Sequence, residues 1–175
     1  MEQKSTSILK SALLSGVYFG IVLILTNVIF YVTGNPFSKV AQYLAYPIMI
    51  GGIALAQISY KKQLGGIMSY GQALGVGILA IVFASFISGL YTFVLYKFID
   101  PSLQEQLRLF TEEQIVQQGN IPEEQLDMVV EMSTKFQKPI IMFVMAIFGG
   151  AFMGTIISLI TAIFTKKNPT DEVPE

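Results

Sequence analysis

The stretch from Asp100 to Lys138 reads DPSLQEQLRLFTEEQIVQQGNIPEEQLDMVVEMSTKFQK, an acidic segment between long runs that carry no charge. Its pattern is helical. Asp100 can cap a first helix and Pro101 suits that helix's first turn; Leu103, Leu107 and Phe110 then recur at helical spacing, and Gly119 can end it. Asn120 with Pro122 offers a second start, followed by Leu126, Val129 or Val130, Met132 and Phe136 on one stripe. Neither helix is apolar enough to enter a membrane. Residues 100–138 are therefore expected to form a polar helical hairpin. Its stripes can bury against each other, lie on the lipid interface or dock a partner; mutual packing is expected, because a hairpin has its own apolar faces available.

Outward from this segment the uncharged runs are Ala12–Val32, Val40–Ser59, Ala73–Tyr96 and Pro139–Thr165. Each is close to or above the roughly 20 residues a helix needs to cross hydrocarbon. Four membrane helices follow, at about 12–32, 40–59, 73–96 and 139–165. The fold class is all-α: a four-transmembrane-helix bundle with an extramembrane helical hairpin between the third and fourth membrane helices. Residues 1–175 then make one integral membrane domain. Runs this long with no polar face are foreign to soluble cores, and their continuity argues against alternating barrel strands. The first run exceeds the h-region of a signal peptide and lacks a clear cleavage site after it, so it is expected to stay as an anchor.

Composition agrees, with a mean hydropathy of +0.59 and 53% hydrophobic against 13% charged residues. A net charge of -1 provides no basic face for nucleic acid. The absence of Cys removes thiolate chemistry and Cys-ligated metals, and the absence of His removes the usual general base. No catalytic motif is present, and the expectation is a protein that is not an enzyme and holds no cofactor. With no Trp, any aromatic belt falls to Tyr31, Tyr43, Tyr91 and Tyr96 near the span ends. Glu123, Asp127 and Glu131 share one helix face at steps of four. They are weak candidates for a divalent cation, since a straight helix lacks the shaped loop and carbonyls such a site needs, and a solvated face is expected instead.

Lys4 and Lys10 precede the first span, Lys61 and Lys62 lie between the second and third, and Lys166 and Lys167 follow the fourth. On the other side, Lys39 stands in a short loop, and Lys97, Arg108, Lys135 and Lys138 are spread through the long insert among eight acidic residues. The positive-inside rule then sets both termini in the cytoplasm and the 100–138 hairpin outside it, across a bacterial inner membrane. No span holds a charged residue, which argues against a proton relay or voltage sensor. Gly16 with Gly20, Gly71 with Gly75 and Gly150 with Gly154 repeat at spacing four, letting another backbone approach. That close approach serves helix packing within the chain, with a homo-oligomer as its other use. Asn27, Gln57, Thr155, Ser158 and Thr161 can bond across the bundle or line a polar pathway. Pro47, with Gly51 and Gly52 after it, is expected to interrupt the second helix. Ser69 and Gln72 stand at the mouth of the third, where they can cap the helix or, with Lys61 and Lys62, receive an anionic group.

Three segments carry a family resemblance: Gly65–Leu74 (GGIMSYGQAL), the Tyr96–Pro101 exit (YKFIDP) and Ile157–Ile160 (ISLI) with Lys166 and Lys167. They resemble the domain-of-unknown-function family 4199, small membrane proteins typical of Bacteroidota, over nearly the whole chain. The resemblance implies a four-helix layout and a membrane location; it brings no activity and no catalytic residues. Two expectations of function result. The first is a non-enzymatic bundle, embedded in the lipid bilayer, that presents the acidic hairpin to a protein partner. The alternative is a small transporter or channel component that works as an oligomer.

Overall fold

A computed structural model of the chain describes residues 7–119 and 123–167. Among these residues there are six α-helices: α1 (Ile8–Val32), α2 (Lys39–Gln63), α3 (Tyr70–Val94), α4 (Ser102–Gln118), α5 (Glu123–Phe136) and α6 (Pro139–Thr165). A π-helical turn, Leu95–Ile99, continues α3. There is no named strand among the described residues; the one extended pairing is an isolated antiparallel bridge between Met68 and Lys167. Four helices are long and apolar enough to cross a membrane: α1, α2, α3 with its π turn, and α6, of 25, 25, 30 and 27 residues. At about 1.5 Å per residue even the shortest outspans hydrocarbon roughly 30 Å thick. The chain is a membrane protein by this measure.

The helices outrun the uncharged runs. α1 begins at Ile8, α2 spans Lys39 to Gln63 and α3 begins at Tyr70, because charge excludes a residue from hydrocarbon but not from a helix. Lys61 and Lys62 lie in the last turn of α2, where cations suit the negative end of the helix dipole. The expected interruption at Pro47 does not occur. α2 continues through it, and only the hydrogen bond that Pro47 cannot donate toward the Tyr43 carbonyl is lost.

The contacts divide the chain into two compact units, one of Met1–Ser88 with Ile147–Glu175 and the other of Gly89–Ala146. In the first, α3 is the packing partner of both α1 and α6. A Cβ on Gly16 would lie 2.6 Å from Phe83 Cβ and 2.7 Å from the Ala80 carbonyl; one on Gly20 would lie 3.1 Å from Ile87 Cβ. Cβ atoms on Gly150 and Gly154 would collide with Ser85 and Ile81. Two of the three small-residue pairs are thus consumed within the chain. The third differs: Gly71 faces open space, and Gly75 meets only the tip of Ile8. Phe19, Ile53, Ile81 and Ala84 form one buried cluster, and Ala12, Tyr60, Met68, Ala73, Val76 and Ala162 another.

In the second unit, Gly89 admits the Phe143 ring. Phe93 sits between Phe98 and Phe143, at centroid distances of 6.2 and 6.4 Å, and Lys97 Nζ lies 5.3 Å from the centre of the Phe93 ring. The Asp100 N–H donates to the Leu95 carbonyl at 2.8 Å, closing the π turn. Tyr96 does not join an aromatic belt. It lies in the π turn and is 8% exposed, and its carbonyl accepts from Gln104 Nε2 at 3.3 Å. Leu103 is buried as well, and α4 packs on both the π turn and α5.

Candidate functional site

The first unit contains a buried polar network. Gln57 and Ser158 are wholly enclosed, and an unpaired amide there would cost several kcal/mol in hydrocarbon. The network satisfies them. Gln57 Nε2 donates to Ser158 Oγ at 3.1 Å and to the Ala73 carbonyl at 3.2 Å. Gln57 Oε1 accepts from Thr165 Oγ1 at 2.9 Å, while Ser158 Oγ donates to the Leu74 carbonyl at 3.1 Å. Three helices are locked at one level. Gly77 makes room for this, since a Cβ there would strike Ser158 Oγ. At the same end Gln63 Nε2 donates to Ser11 Oγ at 3.2 Å, and Met68 and Lys167 exchange backbone hydrogen bonds of 2.9 and 3.0 Å. Of the other polar residues within the spans, Asn27 is exposed on α1. Thr155 and Thr161 donate back to carbonyls of their own helix, Ala151 at 2.7 Å and Ile157 at 3.0 Å.

The helix mouth between α2 and α3 is closed by its own side chains. The Gln72 N–H donates to Ser69 Oγ at 3.3 Å, and the Ser69 N–H donates to Gln72 Oε1 at 2.9 Å. This is a reciprocal capping box. It occupies two of the donors an anion would need. α2 ends in a Schellman turn, with Gly65 and Gly66 at φ of 78° and 95° and their N–H groups donating to the carbonyls of Lys62 and Lys61. Only glycine takes both conformations cheaply.

In the second unit Asp100 Oδ1 accepts from the Ser102 N–H at 3.2 Å and from Ser102 Oγ at 2.5 Å. Pro101 is the residue immediately before α4, and Gly119 ends the helix in the left-handed conformation, at φ 64°. Asn120 and Pro122 lie outside the described residues, as does the side chain of Glu123. Replacing Asp100 by alanine is expected to weaken α4 by about 1 kcal/mol through the lost cap, seen as faster amide exchange over Ser102–Glu105.

Arg108 bridges Glu105 at 2.6 Å and Glu112 at 3.1 Å along α4. The Arg108 hydrogen bond, with its charge, holds the Glu105 carboxyl below its ordinary 4.5. A lowered carboxyl pKa favours the folded helix above the unfolded value, and that contribution fades as pH falls through the lowered one. In Arg108→Gln the Glu105 titration should move up to the ordinary value, as read by NMR of the side-chain carboxyl. On α5, Asp127 and Glu131 are exposed, and Glu131 pairs with Lys135 at 3.1 Å. Among the described residues no group of three Asp or Glu is arranged to hold a metal ion.

The expected stripe on α5 divides in two. Leu126, Val129 and Val130 are half-buried, and beyond the end of α5 Gln137 Nε2 donates to Thr111 Oγ1 on α4 at 2.7 Å. Met132 and Phe136 instead join Met128 on an outward face, 55%, 59% and 65% exposed. Steps of four align these three on one side of the helix. The spacing is visible in the sequence, but apolar residues on two adjacent faces read there as one broad stripe. The outward face is the candidate functional surface.

The family model described as "Protein of unknown function (DUF4199)" matches residues 14–167. No curated protein and no solved structure matches the chain.

Proposed function

We propose, for a chain that belongs to the DUF4199 family of proteins of unknown function, the role of a non-enzymatic membrane protein that presents a helical hairpin, α4 and α5, to a protein partner. The observation that carries this reading is the outward row Met128, Met132 and Phe136 on a helix whose other exposed side chains, Gln125, Asp127, Glu131 and Lys135, are polar or charged. Large apolar side chains left in water are costly, and Met adapts its shape to whatever covers it. A row of this kind, spaced i, i+4, i+8, suits a groove or a facing helix of another protein. The acidic residues around it, Asp127 and Glu131, favour a partner with a basic rim.

We further propose that the chain sits in a bacterial cytoplasmic membrane with both termini inside and the hairpin outside. In support, the Ser11–Gln63 hydrogen bond and the Met68–Lys167 bridge gather helix ends that carry Lys10, Lys61, Lys62, Lys166 and Lys167. The positive-inside rule assigns such an end to the cytoplasm. The chain has no Cys, so single cysteines at Ser7, Ser38, Ser69, Ser102 and Thr170 report loop by loop. In intact cells, an impermeant thiol reagent should label positions 38 and 102 alone. Labelling at 69 overturns the topology. Deleting residues 105–136, which keeps Leu103 and Gln104 at the exit of α3, should abolish crosslinking to the partner while membrane insertion is retained. Partner crosslinking that survives the deletion overturns the docking role.

A further inference from the structure

Among the described residues the first unit contains Lys10, Lys39, Lys61, Lys62, Lys166 and Lys167, and not one Asp or Glu. All but Lys39 gather at one end. Lys10 precedes Ser11, whose hydroxyl accepts from Gln63, the residue after Lys62. The Lys61 and Lys62 carbonyls accept from Gly66 and Gly65, in the loop that leads to Met68, and Met68 pairs with Lys167. Lys10, Lys62 and Lys166 are exposed. In the second unit Arg108 bridges Glu105 and Glu112, and Lys135 bridges Glu131. No described carboxylate pairs in this way with Lys10, Lys61, Lys62 or Lys166.

Ammonium groups crowded together repel one another, and a counter-charge supplied from outside relieves them. Its level is fixed by the helices. Lys10 lies in the first turn of α1, Lys61 and Lys62 in the last turn of α2, and Lys166 directly after α6. All three helices are long and apolar enough to cross a membrane, so these lysines stand where hydrocarbon gives way to headgroups, their stems against the apolar surface. The phosphodiester of a phospholipid lies at that level, and a cluster of four or more lysines beside membrane helices selects lipids with net negative charge, at about 1 kcal/mol or fivefold per lysine. The attraction rests on side chains, because the Ser69–Gln72 box already occupies donors at the mouth of α3. We propose that this lysine end binds the phosphates of anionic phospholipids and gathers them in preference to zwitterionic ones. The preference holds whichever way the chain crosses the bilayer, so it is independent of the topology proposed above.

The test uses the full-length protein in phosphatidylcholine vesicles containing either of two headgroup photoprobes, one a phosphatidylglycerol and one a phosphatidylcholine. In low salt, peptides that contain Lys10, Lys62 and Lys166 should take the phosphatidylglycerol probe at least about fivefold over the other. Changing Lys61 and Lys62 together to glutamine should remove most of that ratio, and changing both to arginine should keep it, which separates loss of charge from loss of fold. Lys39→Gln, at the opposite end of α2, should leave it unchanged. At 1 M salt, where charges are screened within about 3 Å, the ratio should fall toward one. Equal labelling by the two probes in the unaltered protein overturns the proposal, as does a ratio that survives the glutamine changes. A ratio abolished by millimolar inorganic phosphate at constant ionic strength assigns the lysines to a soluble anion. A ratio that arises only after removal of residues 168–175, which carry Asp171, Glu172 and Glu175, assigns them to the chain's own acids. Either of these results also overturns it.

Discussion

Gly16→Leu is expected to lower the melting temperature of the detergent-solubilised protein by about 6–12 °C, equivalent to roughly 3 kcal/mol for a chain of this size. The reason is the identity of the obstructing atoms. A Cβ at Gly16 meets Ala80's carbonyl oxygen at 2.7 Å and Phe83's Cβ at 2.6 Å. Neither is the free end of a flexible side chain. Relief requires α1 to move off α3, and that uncovers Ala84 and Ile81 in the neighbouring cluster. Gly71→Leu is the matched control. It alters another glycine of a four-residue pair, but one that meets nothing within 4 Å, and its melting temperature should stay within about 2 °C. Equal losses at both positions would contradict packing of α1 on α3 through Gly16.

Gln57→Ala is expected to cost about 2–3 kcal/mol. Interhelical hydrogen bonds in membranes average about 0.6 kcal/mol each, and Gln57 makes contacts to Ala73, Ser158 and Thr165. The empty volume left by a fully buried side chain supplies the remainder. Gln57→Leu keeps most of that volume and should recover about half the loss, because Thr165 Oγ1 retains its bond to the Thr161 carbonyl. Thermal unfolding in one detergent compares the two variants. A leucine variant as unstable as the alanine one would mean that the polar contacts, not the volume, carry the lock.

Much of the fold follows from charge and length alone. Four uncharged runs locate four helices, since of the two arrangements that satisfy a backbone across hydrocarbon, helix and closed barrel, only the helix suits a continuous apolar run. Boundaries at the polar ends are harder to read, because Lys61, Lys62 and Tyr70 are helical yet suited to the interface. Pro47 illustrates the opposite error: with Gly51 and Gly52 it suggests an interruption, but the helix runs from Lys39 to Gln63 with Pro47 inside it, because proline removes one hydrogen bond and the rest of a long helix keeps its own. The glycine pairs announce close packing, but not which partner fills the space; Gly16 and Gly154 face α3, whereas Gly71 faces nothing. Gln57 and Ser158 stand 101 residues apart, and no local pattern joins them. The reciprocal Ser69–Gln72 cap, in contrast, is contained in four consecutive residues.

The outward row on α5 was half legible for a related reason. Periodicity identifies an amphipathic helix but does not say how wide a face its neighbour covers. Here α5 packs on α4 with Leu126, Val129 and Val130 half-buried and Met128, Met132 and Phe136 exposed.

The role assigned to this row is tested most directly by a photo-crosslinking amino acid placed at position 132 in living cells, with one at position 156 on the exposed face of α6 as a control. Docking through the hairpin predicts a discrete protein adduct from position 132 that disappears when Met128 and Phe136 are changed to aspartate, and only lipid adducts from position 156. Lipid adducts alone from both positions, or a protein adduct from position 132 that survives the aspartate changes, would contradict it.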